Sequence, residues 1–352
     1  MENVVYVLGA GFSAPLGLPV MSDFLLKAKD MHASDPKKYD HFGKVFEKIN
    51  SMAVAKSYYE ADLFNIEEIL SILEMRERLA GGDTKAFVEF LCDVIDFYTP
   101  EVPAPRLESA NWYDNVLGRW THYLAFASSL LGIRLWTSRD SSRNMAVDIA
   151  AIPNREFNYA VVSVNYDLVL EHMAEAINNM TAIRRMKCVF SKPRSEKNVS
   201  GEQEILVPLA KLHGSTRGRH VIAPTWNKGL ESDATIVETW SLALKLLRAA
   251  NHIRIIGYSL PESDAYIRYL FKAAVIESPH LKSIDVVCQD RSGTTQRRYK
   301  DFITFKYFRF VSGVTEAYLA KVFERKKADI ATMSVTWDGL ERAHKEYMKE
   351  RI

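Results

Sequence analysis

The chain has 352 residues, of which 47% are hydrophobic and 26% are charged. This is an ordinary globular composition, and it excludes disorder, collagen-like repeats and coiled-coil fibres as the main architecture. Lys and Arg total 46 against 44 Asp and Glu, and the net charge of +2 favours neither nucleic acid nor an acidic membrane as the partner. At roughly 150 residues per domain, the length predicts two domains, or one large domain with an insertion.

The three cysteines, Cys92, Cys188 and Cys288, lie far apart in the sequence. An odd number without any C-x-x-C pair predicts neither a disulfide framework nor a metal site, and it fits a cytoplasmic protein. No apolar run reaches the ~18 residues of a membrane helix, so we expect no membrane partner. The apolar run 123–131 is followed by Arg134 and predicts a buried helix.

Short apolar runs rich in β-branched residues predict a parallel sheet that is buried on both faces. These predicted strands are 4–8, 159–164, 205–212, 253–256 and 284–287, with an edge strand at 304–310. Between 23 and about 151 the apolar residues fall at helical spacing, as in the predicted helix 112–131, and no strand is expected there. Residues 191–203 predict an exposed loop, and the charged tail from 315 predicts helices.

The sequence therefore predicts an α/β fold, with a Rossmann-like parallel sheet, helices on both faces and a large all-helical insertion after the first strand. The expected parts are the first strand and its glycine turn (1–22), the helical insertion (23–155), the rest of the core (156–313) and C-terminal helices (314–352).

A glycine-rich turn directly follows the first predicted strand. Residues 9–14 fit the pattern G-x-G-x-x-[G/A] between a strand and a helix, where backbone amides face a pyrophosphate. The alternative is a strand-to-helix turn that merely needs glycine. A dehydrogenase would also need a second strand ending in an acidic residue about 20 positions on, and Asp30 lies on no predicted strand. The turn predicts dinucleotide binding by something other than a dehydrogenase.

Polar residues stand at the ends of later strands, where ligands bind parallel sheets. Asn165 and Asp167 follow the strand 159–164, and the Asn165 amide is expected to point into the crevice. Asp167 could equally be the N-cap of the next helix. His213 ends the strand 205–212, and a histidine in this setting is a candidate general base.

Two further turns add polar groups. Gly257 and Ser259 can offer amides and a hydroxyl to a ribose or phosphate, and Asp264 could cap the helix that follows. Asp290, with the glutamine before it, is expected near the adenine or its ribose.

Four blocks together resemble the sirtuin-like NAD-consuming family. They are GAGFSAPLGLP at 9–19, SVNYD at 163–167, KLHGS at 211–215 and IIGYSLPESDAYIRYLF at 255–271. The resemblance covers about half of the chain and implies that NAD is the substrate. It also implies that Asn165 orders the nicotinamide ribose and its water, and that His213 acts as a base on the ribose. The residues implied to contact NAD are Gly9, Ala10, Gly11, Ser13, Pro19, Asp167, Gly214, Ser215, Gly257 and Ser259.

The chain departs from the sirtuin deacylases because it lacks their zinc ribbon of two C-x-x-C pairs. It resembles instead the bacterial sirtuin-like defence effectors, which hydrolyse NAD to nicotinamide and ADP-ribose. This implies an anti-phage NADase without a metal, controlled by homo-oligomerisation or by a separately encoded partner such as an ATPase. Two alternatives remain: a deacylase whose cleft is built by the helical insertion, and a non-catalytic sensor of NAD or ADP-ribose.

Overall fold

The computed structural model describes residues 1–52, 65–80, 85–139, 142, 144–181, 186–193, 203–221, 234–276 and 278–349. The strands are β1 (Glu2–Leu8), β2 (Ile133–Arg139), β3 (Met145–Ala151), β4 (Phe157–Ser163), β5 (Met186–Ser191), β6 (Gln203–Lys211), β7 (Gly214–Ser215), β8 (His220–Val221), β9 (His252–Ile256), β10 (Ser283–Cys288), β11 (Phe308–Ser312), β12 (Lys327–Asp329) and β13 (Ser334–Thr336).

The α-helices are α1 (Ala10–Ser13), α2 (Phe24–Ser34), α3 (Asp40–Ser51), α4 (Ile66–Ala80), α5 (Lys85–Tyr98), α6 (Thr121–Leu131), α7 (Val169–Met180), α8 (Ala234–Arg248), α9 (Ala265–Ile276), α10 (Thr294–Phe302), α11 (Thr315–Glu324) and α12 (Leu340–Lys349). None of these described helices combines the length and hydropathy that a membrane crossing needs.

The main sheet has seven parallel strands in the order β11-β10-β9-β1-β4-β6-β5. It confirms the predicted Rossmann-like α/β class and the five predicted strands. The predicted edge strand is also present, but it runs over Phe308–Ser312 rather than 304–310. β5 was not predicted, because its six residues mix polar and apolar side chains and its continuous apolar run, 188–190, is only three residues long.

Helices cover both faces of this sheet, as predicted. Along β1, Val4, Tyr6 and Leu8 join the core that includes α6, α7, α11 and α12. Val5 and Val7 point the other way, into the core formed with α8, α9 and α10. This alternation explains the continuous apolar run of β1, since both sets of side chains are buried.

Residues 133–151 correct the prediction of an all-helical insertion. The helix α6 is buried as predicted, but Gly132 ends it in a left-handed conformation (φ +65°). β2 and β3 then form a hairpin, and β13 from the tail pairs with β2. The tail is therefore not wholly helical. Buried and more exposed residues alternate along β2, which is typical of a half-buried strand, but the strand is only seven residues long.

The region before α6 also differs from the predicted helix 112–131. Short 3-10 turns at Trp112–Asp114 and Gly118–Trp120 precede α6, so one continuous helix is wrong. Most of the predicted loop at 191–203 lies outside the described residues.

A buried polar cluster holds α12 against the sheet. Arg254 on β9 donates a 2.9 Å hydrogen bond to Glu341 of α12 and a 2.8 Å bond to the Tyr6 hydroxyl. His344 of α12 contacts Asp285 of β10 at 3.0 Å. Burial lowers the pKa of His344 to about 4. The ring is therefore neutral at pH 7 and donates to Asp285 from Nε2.

Candidate functional site

A cavity of about 580 Å³ lies at the carboxyl edge of the main sheet. This is the edge at which parallel sheets bind ligands, and the volume is that of a small-molecule site. The wall is built from the segments that follow β1, β4, β9, β10 and β11, with apolar side chains from α2, α4 and α5. Part of the helical region therefore closes the cavity on one side.

The structure brings eight of the predicted contact residues to this cavity. They are Ala10, Gly11, Ser13, Pro19, Asn165, Asp167, Gly257 and Ser259. Five others are not among the described lining residues: Gly9, His213, Gly214, Ser215 and Asp290.

Ser13, Asn165 and Asp167 form one hydrogen-bond network in the wall. The Ser13 hydroxyl donates to Asp167 Oδ2 at 2.7 Å. Asn165 Nδ2 donates to the Gly9 carbonyl at 3.0 Å and lies 3.3 Å from the Ser13 oxygen. The amide nitrogen of Asn165 is thus bound to the glycine turn rather than free in the crevice. Asp167 lines the cavity and also accepts the Val169 amide at 3.1 Å, but the N-cap residue of α7 is Leu168 rather than Asp167.

Lys211, at the end of β6, fixes the backbone that carries Asp167. Its ammonium group donates to the Asp167 carbonyl, to the Tyr166 carbonyl at 3.4 Å and to Glu171 at 3.1 Å. The side chain is only 12% exposed, so water screens these interactions weakly. The position of Asp167 is therefore set by β6 as well as by β4.

The glycine turn packs backbone to backbone against the turn after β9. The Gly11 amide donates to the Gly257 carbonyl at 2.8 Å, and the Phe12 amide donates to the Gly9 carbonyl at 2.8 Å. A Cβ at Gly9 would lie 2.6 Å from Tyr258 Cα. The close packing of the two turns thus explains why glycine stands at these positions. The expectation that the amides at this helix start face a phosphate is wrong for Gly11 and Phe12, because both are already bonded.

His213 lies behind the cavity wall. It is fully buried, and its Nε2 is 3.6 Å from Asp264 Oδ1. Asp264 also accepts a 2.6 Å hydrogen bond from Tyr258, and the His213 ring lies 5.6 Å from that of Tyr166. Tyr166 and Tyr258 both line the cavity. The Asp264 side chain therefore lies beside His213, a contact that the expected helix cap did not anticipate.

Gly214, Ser215 and Asp290 have structural contacts of their own. Gly214 and Ser215 form β7, which pairs with β8. The Asp290 carboxylate accepts the Gln296 amide at 2.8 Å and so organises the start of α10. The neighbouring Gln289 lines the cavity in its place.

The charged residues among the described lining of the cavity are acidic. Asp167 and Glu316 line the cavity, whereas none of its described lining residues is Lys, Arg or His. Cys288 also reaches the wall, but burial raises the pKa of its thiol to about 12, so it is not a nucleophile at neutral pH.

Sequence reasoning missed Tyr166, Thr315 and Glu316. Thr315 opens α11 and donates a 2.7 Å hydrogen bond to the Gly11 carbonyl, which ties the last strand end to the first. The sequence did carry a signal for Thr315 and Glu316, because polar residues after β11 belong to the same carboxyl edge as the other strand ends.

A scan against protein-family models finds no match for this chain, and neither does a search of curated proteins. The similarity to the sirtuin-like family therefore rests on the four sequence blocks.

Proposed function

We propose that this protein is an NAD glycohydrolase, which uses water to cleave the bond between nicotinamide and ribose. The observation that carries the proposal is the network of Ser13, Asn165 and Asp167 on the wall of the strand-end cavity. The resemblance implies that Asn165 lies beside the nicotinamide ribose and that Ser13 and Asp167 contact NAD.

The extent of the cavity supports a dinucleotide as the ligand. Its wall includes residues that follow β4, β1, β9, β10 and β11, which are consecutive strands of the sheet. Four steps between neighbouring strands at about 4.8 Å each span roughly 19 Å, which suits an extended dinucleotide. The nicotinamide ribose would lie at the β4 end, beside Asn165 and Asp167. The adenosine would lie at the β10 and β11 end.

The residues at the β4 end suit the chemistry. Loss of nicotinamide develops positive, oxocarbenium-like charge on the ribose, which a fixed carboxylate such as Asp167 stabilises. Ser13 and Asn165 would hold the ribose and a water in place, which lowers the entropic part of the barrier. The predominantly apolar surroundings strengthen these interactions by excluding bulk water.

The burial of His213 supports an enzyme that is kept inactive until triggered. A base behind the wall reaches the ribose only after Tyr166 or Tyr258 moves. We propose that this movement accompanies activation of a cytoplasmic anti-phage effector. Homo-oligomerisation or a separately encoded partner, such as an ATPase, would supply the trigger.

A second candidate function is a non-catalytic sensor of NAD or ADP-ribose. The burial of His213 favours it, because a binding site needs no base in contact with the ligand. The two functions differ in turnover, not in the location of the site.

The deciding experiment incubates the purified protein with NAD and separates the products by chromatography. Nicotinamide and ADP-ribose in equal amounts, absent with Asn165→Ala, would establish the glycohydrolase. NAD binding without turnover at any protein concentration, even with candidate partners present, would favour the sensor.

A further inference from the structure

A carboxylate lies beside the buried imidazole of His213. Both Asp264 and His213 are almost fully buried, and 3.6 Å separates Asp264 Oδ1 from His213 Nε2. This distance is longer than a hydrogen bond, but hydrogen bonds between catalytic groups are often long until a ligand binds. Burial of a carboxylate is costly unless neighbouring groups compensate its charge. The imidazole can do so, together with the Tyr258 hydroxyl, which donates to Asp264 Oδ2 at 2.6 Å.

The backbone fixes the positions of both Asp264 and His213. The loop before Asp264 includes Leu260, which is fully buried and has φ +51°, a left-handed conformation that non-glycine residues rarely adopt. Such conformations persist where the surrounding structure enforces them, and they cluster at functional sites. Arg268 of α9 donates to the Leu260 carbonyl at 3.1 Å and so holds this loop. Trp240 of α8 donates to the carbonyl that directly precedes His213, also at 3.1 Å.

We infer that Asp264 is a positioning residue for His213, the base of the proposed reaction. Its carboxylate accepts the Nε2 proton of His213, so Nδ1 is the nitrogen that takes the proton of a ribose hydroxyl. The carboxylate then stabilises the imidazolium that this transfer creates, and it does not itself take the proton. Asp264 acts through His213 without touching the ligand. The inference rests on the proposed function.

The first test locates protons on the His213 ring and needs no turnover. The full chain is prepared with isotopically labelled histidine, and long-range proton–nitrogen correlation spectra show which ring nitrogens are protonated. The signals of His213 are those that disappear in His213→Gln. The test variant is Asp264→Asn, which keeps the size of the side chain and removes its charge. The control is Tyr258→Phe, which removes the hydroxyl bonded to Asp264 but keeps the carboxylate.

Nε2 of His213 should carry a proton in wild type and in Tyr258→Phe. In Asp264→Asn the Tyr258 hydroxyl occupies the single amide oxygen, so the amide nitrogen faces the ring and Nε2 should lose its proton. An unprotonated Nε2 in wild type, or a protonated Nε2 in Asp264→Asn, would overturn the inference. The wild-type measurement decides even if the variant does not fold.

The second test measures turnover at high enzyme concentration. A positioned base contributes roughly 10²–10⁴-fold to a rate, so Asp264→Asn should lower kcat at least about tenfold but no more than His213→Ala does. Glu262→Gln makes the same charge change at an exposed position and should keep the wild-type rate. The double variant Asp264→Asn with His213→Ala should be no slower than His213→Ala alone, because Asp264 acts through His213.

A double variant that is slower than His213→Ala would reveal a separate structural role for Asp264 and overturn the inference. Wild-type protein that shows the expected ring protonation but no NAD turnover would contradict only the proposed reaction. Thermal unfolding of each variant checks that the fold is kept.

Discussion

The amide of Gly11 donates a 2.8 Å hydrogen bond to the carbonyl of Gly257, and this bond joins the turn after β1 to the turn after β9. The two backbones approach so closely that neither position has room for a side chain. The cavity floor is thus a direct contact between two loops, and its shape depends on glycine at both positions.

We expect Gly257→Ala to destabilise the protein strongly. Gly257 has φ +67°, and a Cβ there would lie 2.3 Å from the Phe12 nitrogen. The matched control is Gly293→Ala, with φ +77° but no atom within 4 Å of the added Cβ. The control should lose about 1 kcal/mol of unfolding free energy from backbone strain alone, and Gly257→Ala about 1–3 kcal/mol more. Equal losses in urea unfolding would show that the loop contact is not tight.

Asn165→Ala and His213→Ala should each abolish NAD turnover while the fold is kept. Asn165 holds the glycine turn to the end of β4 through the Gly9 carbonyl, and His213 would supply the base. Far-ultraviolet circular dichroism checks the fold, and chromatography of the products measures turnover. Hydrolysis at the wild-type rate by either variant would refute that residue's catalytic assignment.

Glu341→Gln should cost about 3 kcal/mol of unfolding free energy, because it leaves the Arg254 charge buried without its ionic partner. The Arg254 side chain is only 3% exposed. The control on the same helix is Glu346→Gln, whose partner Arg325 is about one-third exposed, and which should cost about 0–1 kcal/mol. Chemical unfolding of both variants compares the two. Similar losses would mean that the buried pair does not hold α12 to the sheet.

Stability should fall on acidification between about pH 6.5 and about pH 4. Burial lowers the pKa of His344 from 6.5 to about 4 in the folded protein. Within this window the unfolded chain binds a proton that the folded protein does not, so unfolding is favoured as the pH falls. The neutral side chain of His344→Gln should make this decline shallower, whereas His280→Gln, at an exposed position, should not. Urea midpoints at about pH 7 and about pH 5 measure the slope. An unchanged slope in His344→Gln would exclude this residue as the cause.

Much of the fold could be predicted from the sequence, because strands buried on both faces are apolar at most positions. The runs at β1, β4, β6, β9 and β10 therefore predicted a parallel sheet, and the carboxyl-edge rule placed Asn165 and Asp167 at the cavity. The second sheet was not predicted, since β2 and β3 are short strands without a long local pattern and β13 pairs with β2 from a distant part of the chain.

The sequence by itself determined which strand ends carry polar residues and that glycines stand in the first turn. Only the tertiary structure decided what those groups contact. It placed His213 beside Asp264 and behind the wall, bonded the Gly11 amide to Gly257, and brought Glu316 to the cavity. The physical reason is that each of these contacts joins segments separated along the chain, so their geometry follows from how helices and loops pack on the sheet rather than from local sequence.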